Sequence, residues 1–278
     1  MHIIQAIFLG LVQGLTEFIP VSSSAHLLFI EKLFGWDTAK LTFDVALHWG
    51  TLIALLAYFW RDWVSIFASF ARHISGRSPY PTDPESAGSG RFLIPIVIAS
   101  IPAAIIGLKY DSKIEAMRNK PWILPAVAGT LAVFALVMLL AERVGKKQRE
   151  MGAMNYADYI IIGVAQALAL FPGVSRSGIT ISAGLFRNLD RAGAARFSFL
   201  LSTPIIFAAG LKQLKDVAET GLPSGEALTF AVGFVVAAIS GYLAIRFLMS
   251  YLRKGSLTVF AVYRFILAAA ILATLLKI

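Results

Sequence analysis

One pattern occurs twice in this chain, each time inside apolar sequence where polar residues are expensive. Gly10, Gln13, Leu15, Phe18, Val21, Ser22 and Ser24 recur at a constant offset as Gly163, Gln166, Leu168, Phe171, Val174, Ser175 and Ser177. Each copy interrupts a hydrophobic helix at a proline, Pro20 or Pro172, and then presents a run of hydroxyls. Proline removes a helical hydrogen bond and clashes with the preceding turn, so each copy predicts a helix that breaks and resumes. The copies are not equivalent in chemistry. The first carries Glu17 and His26; the second carries Arg176. That division predicts one composite site assembled from the two halves of a duplicated protein.

The setting of the motif is a membrane. The 278 residues are 58% hydrophobic, with a mean hydropathy of +0.74, well above a soluble domain. Several runs approach or reach the roughly 18–20 apolar residues that a bilayer crossing needs. The sequence therefore predicts an all-α polytopic membrane protein with helices at about 43–60, 92–109 and 121–141, then at about 196–211, 227–249 and 257–276. The two motif regions, about 3–30 and 159–185, are each too short for two crossings. Each is expected to enter and leave on one face as a re-entrant pair, because broken backbone at membrane depth needs protein or a water-filled cavity around it.

Two repeats follow, 1–150 and 151–278, forming one integral membrane domain. Each contains a re-entrant broken helix pair and three transmembrane helices. Three crossings per half invert the second repeat relative to the first, an arrangement common in transporter-like architectures. Shorter matches in the same order support the duplication: Phe43–Leu47 with Phe197–Leu201, and Ala103–Gly107 with Ala237–Gly241.

The formal charge of +9 lies mostly in loops and speaks of orientation and anionic headgroups, not of nucleic acid. Segments 61–91, 142–157, 187–196 and 246–254 fall on one side, and their excess of Lys and Arg predicts that side to be cytoplasmic. The opening segment lacks a basic n-region and a small-residue cleavage site and contains Gln13 and Glu17, unlike a signal peptide. No cysteine is present, which excludes disulfides and thiolate metal sites. The Ser-, Pro- and Gly-rich stretch 75–90 reads as a connection. Trp60, Trp63 and Trp122 suit the membrane interface.

Phe171-Pro172-Gly173-Val174-Ser175-Arg176-Ser177-Gly178-Ile179-Thr180 carries the sharpest chemistry. A helix that resumes near Gly178 points its N-terminal N–H groups at the break, a ready anion site. Arg176 adds a fork matched to phosphate oxygens, and Ser175, Ser177 and Thr180 add hydroxyls. Glu17 is an acid within an apolar run, which marks function by default. Gln13 lies one turn before it; together they could hold a divalent cation or position a water, and Glu17 could instead simply pair with Arg176. Ser22, Ser23 and Ser24 precede His26, which permits base-assisted nucleophilic attack or protonation of a leaving group. Spacing does not select one serine. Asp44 and His48 share a helical face, more in keeping with a local hydrogen bond than with a metal pair. Arg264 sits within an apolar run and could add positive charge to the cavity or pair with an acid, and Lys146-Lys147 reads as an anchor.

These two motifs resemble those of the undecaprenyl-diphosphatase family, the bacitracin-resistance type of bacterial membrane phosphatase. The resemblance rests on Gln13-x-x-x-Glu17, on Pro20-Val21-Ser22-Ser23-Ser24-Ala25-His26 and on Pro172 to Thr180. It extends over Phe43–Val45, Ala194–Leu201 and nearly the whole chain. It implies an enzyme that hydrolyses undecaprenyl diphosphate to the monophosphate and inorganic phosphate, recycling the carrier for cell-wall synthesis and conferring bacitracin resistance. It also implies a bacterial cytoplasmic (inner) membrane location with the site facing outward, a divalent cation (Mg²⁺ or Ca²⁺), and membrane lipids as surroundings. As self-association, a homodimer is expected.

Within that resemblance Glu17, His26, Ser23 and Arg176 are the expected catalytic residues. Ser22, Ser175, Arg176, Ser177 and Thr180 are the expected phosphate ligands, and Glu17 with Gln13 the expected metal ligands. Gln13 stands where the family pattern admits Glu or Gln, which weakens any mechanism that needs two carboxylates. The phosphatidic-acid phosphatase pattern fails because no histidine follows Arg176, and no P-loop is present. The competing class is transport: a polyprenyl-phosphate flippase or an anion transporter would use the same composite site, although it needs no base.

Overall fold

The computed structural model describes residues 2–36, 41–77, 91–220 and 226–276. Most of the connection expected at 75–90 lies outside the described residues. The described chain is helical: α1 Ile3–Phe18, α2 Ser23–Phe34, α3 Leu41–Tyr58, α4 Trp60–Ile74, α5 Leu93–Met117, α6 Ile123–Val144, α7 Tyr156–Leu168, α8 Arg176–Phe186, α9 Arg191–Thr220, α10 Ala227–Tyr251 and α11 Thr258–Leu275, with a 3₁₀ turn at Met151–Ala153. Among the described residues five helices are long and apolar enough to cross a membrane, or six if α3 and α4 form one bent segment. The expectation of an all-α polytopic membrane protein holds.

The two motif regions are broken helix pairs. α1 has 16 residues, about 24 Å at 1.5 Å per residue, short of a hydrocarbon core of about 30 Å. It stops at Ile19, whose extended backbone (φ −65°, ψ 135°) is the conformation that the following Pro20 imposes. The chain then turns through Ser22 at φ 76° and restarts as α2. The second break has the same shape: Ser175 sits at φ 71° and α8 starts at the next residue. Positive φ is uncommon for serine and carries strain, so its occurrence at two equivalent serines is a structural echo of the repeated sequence.

Contacts at the ends of the two pairs show where each closes. Asp158 at the start of α7 accepts from Arg187 just after α8 at 2.7 Å, so the two ends of the second pair lie together. Phe8 of α1 meets Trp36 beyond α2 edge-on at 5.9 Å. The first pair lies near the Arg118 end of α6, where Arg118 reaches Glu31 at 3.6 Å and Asp44 at 3.1 Å. The opposite end of α6 holds Glu142, which accepts from Arg191 and from the Leu257 backbone N–H at 3.2 Å.

Close packing of the first pair depends on small residues. α1 lies against α10, and α10 against α3. A Cβ added at Gly14 would sit 2.0 Å from Ser240 Oγ and 2.7 Å from the Ala237 carbonyl. Small residues of this kind let helix backbones approach in lipid, where van der Waals packing drives association. Gly14→Val should therefore lower the melting temperature sharply, a loss of about 3 kcal/mol or more, since overpacking costs about 1–3 kcal/mol even where neighbours can yield. Gly129→Val, at a position where a Cβ meets nothing within 4 Å, should melt like the parent protein.

α4 departs from expectation. Residues 61–91 are expected only as a segment on one side between the helices at about 43–60 and 92–109, yet a helix covers Trp60–Ile74, bent 73° from α3. Its pattern is inside-out: Asp62, Ile66 and Ser69 are buried, whereas Trp60, Val64, Phe67 and Ile74 are exposed. Asp62 accepts from Arg196 at 2.6 Å, which draws the polar edge inward, while the exposed apolar stripe suits a helix at the lipid boundary. α5 and α9 also run beyond the expected 92–109 and 196–211, their apolar cores continuing into polar helical ends.

Candidate functional site

The two breaks meet. Arg176, first residue of α8, donates through Nη2 to Glu17 Oε1 near the end of α1. The other carboxylate oxygen, Oε2, accepts from Ser23 Oγ at 2.6 Å and from Gln13 Nε2 at 3.1 Å. Ser24 Oγ accepts from the Gly173 N–H at 3.4 Å, a direct bond between the two breaks. Acid and arginine, 159 residues apart in sequence, thus form one pair across the repeat boundary. A pair buried in this way is weak evidence for stability, because desolvation offsets most of the attraction.

A cavity of about 260 Å³ opens on this pair. Its polar wall includes Glu17, Ser22, Ser23, Ser24, Ser175 and Arg176. Its apolar wall is made by Ala103 and Ile114 of α5, Leu170, and Ile205, Ile206 and Ala209 of α9. α5 and α9 each contain an internal proline, Pro102 and Pro204. A volume of this order suits a headgroup rather than a long lipid chain, since drug-sized pockets start at about 300 Å³. α2 and α8 both begin at the cavity, so two helix N-termini converge there with their unpaired N–H groups.

The remaining expected residues take supporting positions. Ser175 caps α8, accepting from the Gly178 N–H at 3.2 Å, and its hydroxyl lies 3.3 Å from that of Ser177. Thr180 donates to the Arg176 carbonyl at 2.7 Å and meets Ser198 Oγ at 2.6 Å; it holds the arginine's backbone. His26 Nδ1 donates to the Ser22 carbonyl at 2.7 Å, and its Nε2 lies 2.7 Å from the Tyr263 hydroxyl. Both ring nitrogens are engaged, and the histidine braces the strained Ser22. Gln13, His26, Ser177 and Thr180 stand behind the cavity wall rather than in it.

Three participants were not assigned by sequence. Arg264 is fully buried and donates to the Gly173 carbonyl at 2.7 Å, the Pro20 carbonyl at 3.5 Å and the Leu131 carbonyl at 3.3 Å. One guanidinium therefore grips the carbonyls that both breaks release. Its sequence signal was a charge in an apolar run, but its targets were not readable there. His48 lines the cavity; its Nδ1 donates to the Asp44 carbonyl at 2.8 Å, while the Asp44 carboxylate goes to Arg118. The Asp44–His48 relation is thus a helix-face hydrogen bond. Gln166, a member of the repeated motif, also lines the cavity. Lys147, expected as an anchor, turns back to donate to the Gly145 carbonyl at 3.0 Å at the end of α6.

For a divalent cation the donor set is sparse. Among the described residues no cluster of three or more His, Cys, Asp or Glu side chains is placed to hold a metal. Gln13 Oε1, however, is buried with no hydrogen-bond partner, beside the Glu17 carboxylate. One carboxylate and one amide oxygen fit a hard cation that arrives with phosphate oxygens, the usual manner of Mg²⁺ binding, and do not fit a self-sufficient metal cage.

The family model of the bacitracin resistance protein BacA matches residues 6–270. An undecaprenyl-diphosphatase of Moorella thermoacetica is 47% identical over 274 residues, covering 98% of both chains. Those of Rubrobacter xylanophilus and Caldicellulosiruptor bescii are 46% and 44% identical, the first over 99% of both chains and the second over 97% of this chain and 96% of its own.

Proposed function

The chain belongs to the bacitracin resistance protein BacA family, and from that premise we infer that it is an undecaprenyl-diphosphatase. It is a multi-pass membrane enzyme that hydrolyses undecaprenyl diphosphate to undecaprenyl phosphate and inorganic phosphate, which returns the lipid carrier to cell-wall synthesis and underlies bacitracin resistance. The observation that carries the mechanism is the Glu17–Arg176 pair with Ser23 on the same carboxylate.

The headgroup enters between the two helix N-termini. Arg176 has further N–H donors beyond the one given to Glu17 and takes phosphate oxygens in its fork. The start of α8 and the Ser175 hydroxyl add donors aimed at the transferred phosphoryl group, whose charge is best stabilised by such preorganised dipoles. Ser23 Oγ already donates to Glu17 Oε2, so as this oxygen attacks the terminal phosphorus its proton has an acceptor. The O–P bond to Ser23 forms, the bridging P–O bond breaks, and undecaprenyl phosphate leaves with the bridging oxygen. Water then cleaves the phosphoserine, giving its hydroxyl to phosphorus and a proton to Ser23 Oγ; inorganic phosphate leaves, and the proton taken by Glu17 passes to solvent. Ser22 supports the headgroup, while His26, Ser177, Thr180 and Arg264 hold the two breaks in place. A divalent cation, Mg²⁺ or Ca²⁺, would be held by Glu17 and Gln13 and would neutralise diphosphate charge when bound. The prenyl tail stays in lipid along the apolar wall.

Inverted-topology repeats account for this assembly. The reading is supported by the two matched breaks, by their closure near opposite ends of α6, and by reciprocal packing of α1 on α10 and α7 on α5. Location in the bacterial cytoplasmic membrane with the cavity facing outward is supported by the gathering of basic segments. Arg149 and Arg187 meet at Asp158, Arg91 donates to the Gly152 carbonyl, and Arg191 pairs with Glu142, all on one face. Ile114 lines the cavity from the other end of α5.

Purified protein should release phosphate from undecaprenyl diphosphate, lose that activity by at least about 100-fold in EDTA, and regain it on addition of Mg²⁺ or Ca²⁺. Folded protein that binds the lipid but releases no phosphate would instead favour a flippase.

A further inference from the structure

Gln166 is 2% exposed and lies in the cavity wall, yet neither its Oε1 nor its Nε2 has a hydrogen-bond partner. Folded proteins rarely leave a buried amide in that condition without a reason. The repeat shows what is different here. Its counterpart Gln13 donates to Glu17 one turn later, whereas the residue one turn after Gln166 is Leu170. The second repeat has therefore kept the amide while presenting no carboxylate to occupy it.

We propose that Gln166 is a substrate-contacting residue, whose Nε2 donates to a non-bridging oxygen of the diphosphate and whose Oε1 holds a water carried in with it. The assignment rests on the phosphatase reading for its natural ligand. It extends the site from the Glu17–Arg176 pair to the opposite wall formed by α7. A phosphate oxygen supplies the acceptor that Nε2 lacks, and a water supplies the donor that Oε1 lacks. The fold itself supplies no partner for the amide, and substrate does. A residue of this kind contributes on binding and adds little to the fold, the opposite of a structural glutamine.

That opposition gives the test. Gln166→Met keeps the length and removes both polar atoms; Gln166→Glu keeps the polarity but sets a negative charge against the diphosphate. Phosphate release from undecaprenyl diphosphate and thermal melting, with and without inorganic pyrophosphate, are measured for both variants beside the parent protein. Gln166→Met is expected to melt at or above the parent temperature, to lose about 10- to 100-fold in kcat/KM, as for a hydrogen bond to a charged group, and to lose most of the pyrophosphate-induced rise in melting temperature. Gln166→Glu is expected to raise KM further. A Gln166→Met protein that melts lower, with activity reduced only in proportion to its folded fraction, would overturn the proposal. So would parental activity and a parental pyrophosphate shift in that variant. If the parent binds pyrophosphate but hydrolyses no lipid, the phosphatase reading falls, and the pyrophosphate shift still decides the role of Gln166.

Discussion

Arg176→Ala should lower kcat/KM for undecaprenyl diphosphate by about 10³-fold or more, equivalent to about 4 kcal/mol of transition-state stabilisation. The residue opens α8 at the cavity and meets Glu17 from the other repeat, so its removal strips the phosphoryl group of its one forked cation. It also leaves the Glu17 carboxylate without its counter-charge, facing an incoming anion. Arg176→Lys separates these effects: it restores a positive charge but not the fork, and should remain about 10²-fold below the parent. Steady-state phosphate release, with melting curves to establish that each variant is folded, measures both. An Arg176→Ala enzyme that kept more than a tenth of the parental rate would remove this residue from the reacting centre.

Local sequence carried the elements of the site because its decisive features are local. In both copies a proline is followed at once by a run of hydroxyls, so both broken pairs were legible, as was the division of acid and arginine between them; proline alone does not decide it, since α5 and α9 continue through Pro102 and Pro204. The partners were not legible, because they depend on which elements come together. Arg264 was visible as a charge in an apolar run, but the carbonyls it grips at Pro20 and Gly173 lie on two other helix pairs. His26 read as a proton-transfer group, yet its second nitrogen meets Tyr263 from α11, a contact that spacing cannot forecast. α4 was hidden for a different reason. Its buried face mixes Asp62 and Ser69 with Ile66, while Trp60, Val64 and Phe67 stay exposed, which departs from the soluble-protein pattern, and its charged residues at 61 and 62 made it resemble a loop. The free amide of Gln166 is an absence of partners, a property that only three-dimensional packing can display.

Glu17→Gln is the more discriminating change, because acid and arginine are coupled. The neutral amide can still accept from Ser23 and is similar in size, so local packing is preserved. What is lost is the charge that opposes substrate and the acceptor for the Ser23 proton. With no carboxylate to hold it, Arg176 is released for the diphosphate, and ground-state binding should stay level or tighten. The chemical step loses its base, a contribution of about 10²- to 10⁴-fold. The expected signature is therefore a kcat reduced by about 10³-fold with KM unchanged or lower, the pattern of an interaction made in the transition state together with relief of ground-state repulsion. Single-turnover phosphate release and lipid binding, measured on the same preparation, separate the two quantities. If kcat were retained and KM rose, Glu17 would be a binding residue, and proton transfer from Ser23 would have to be assigned elsewhere.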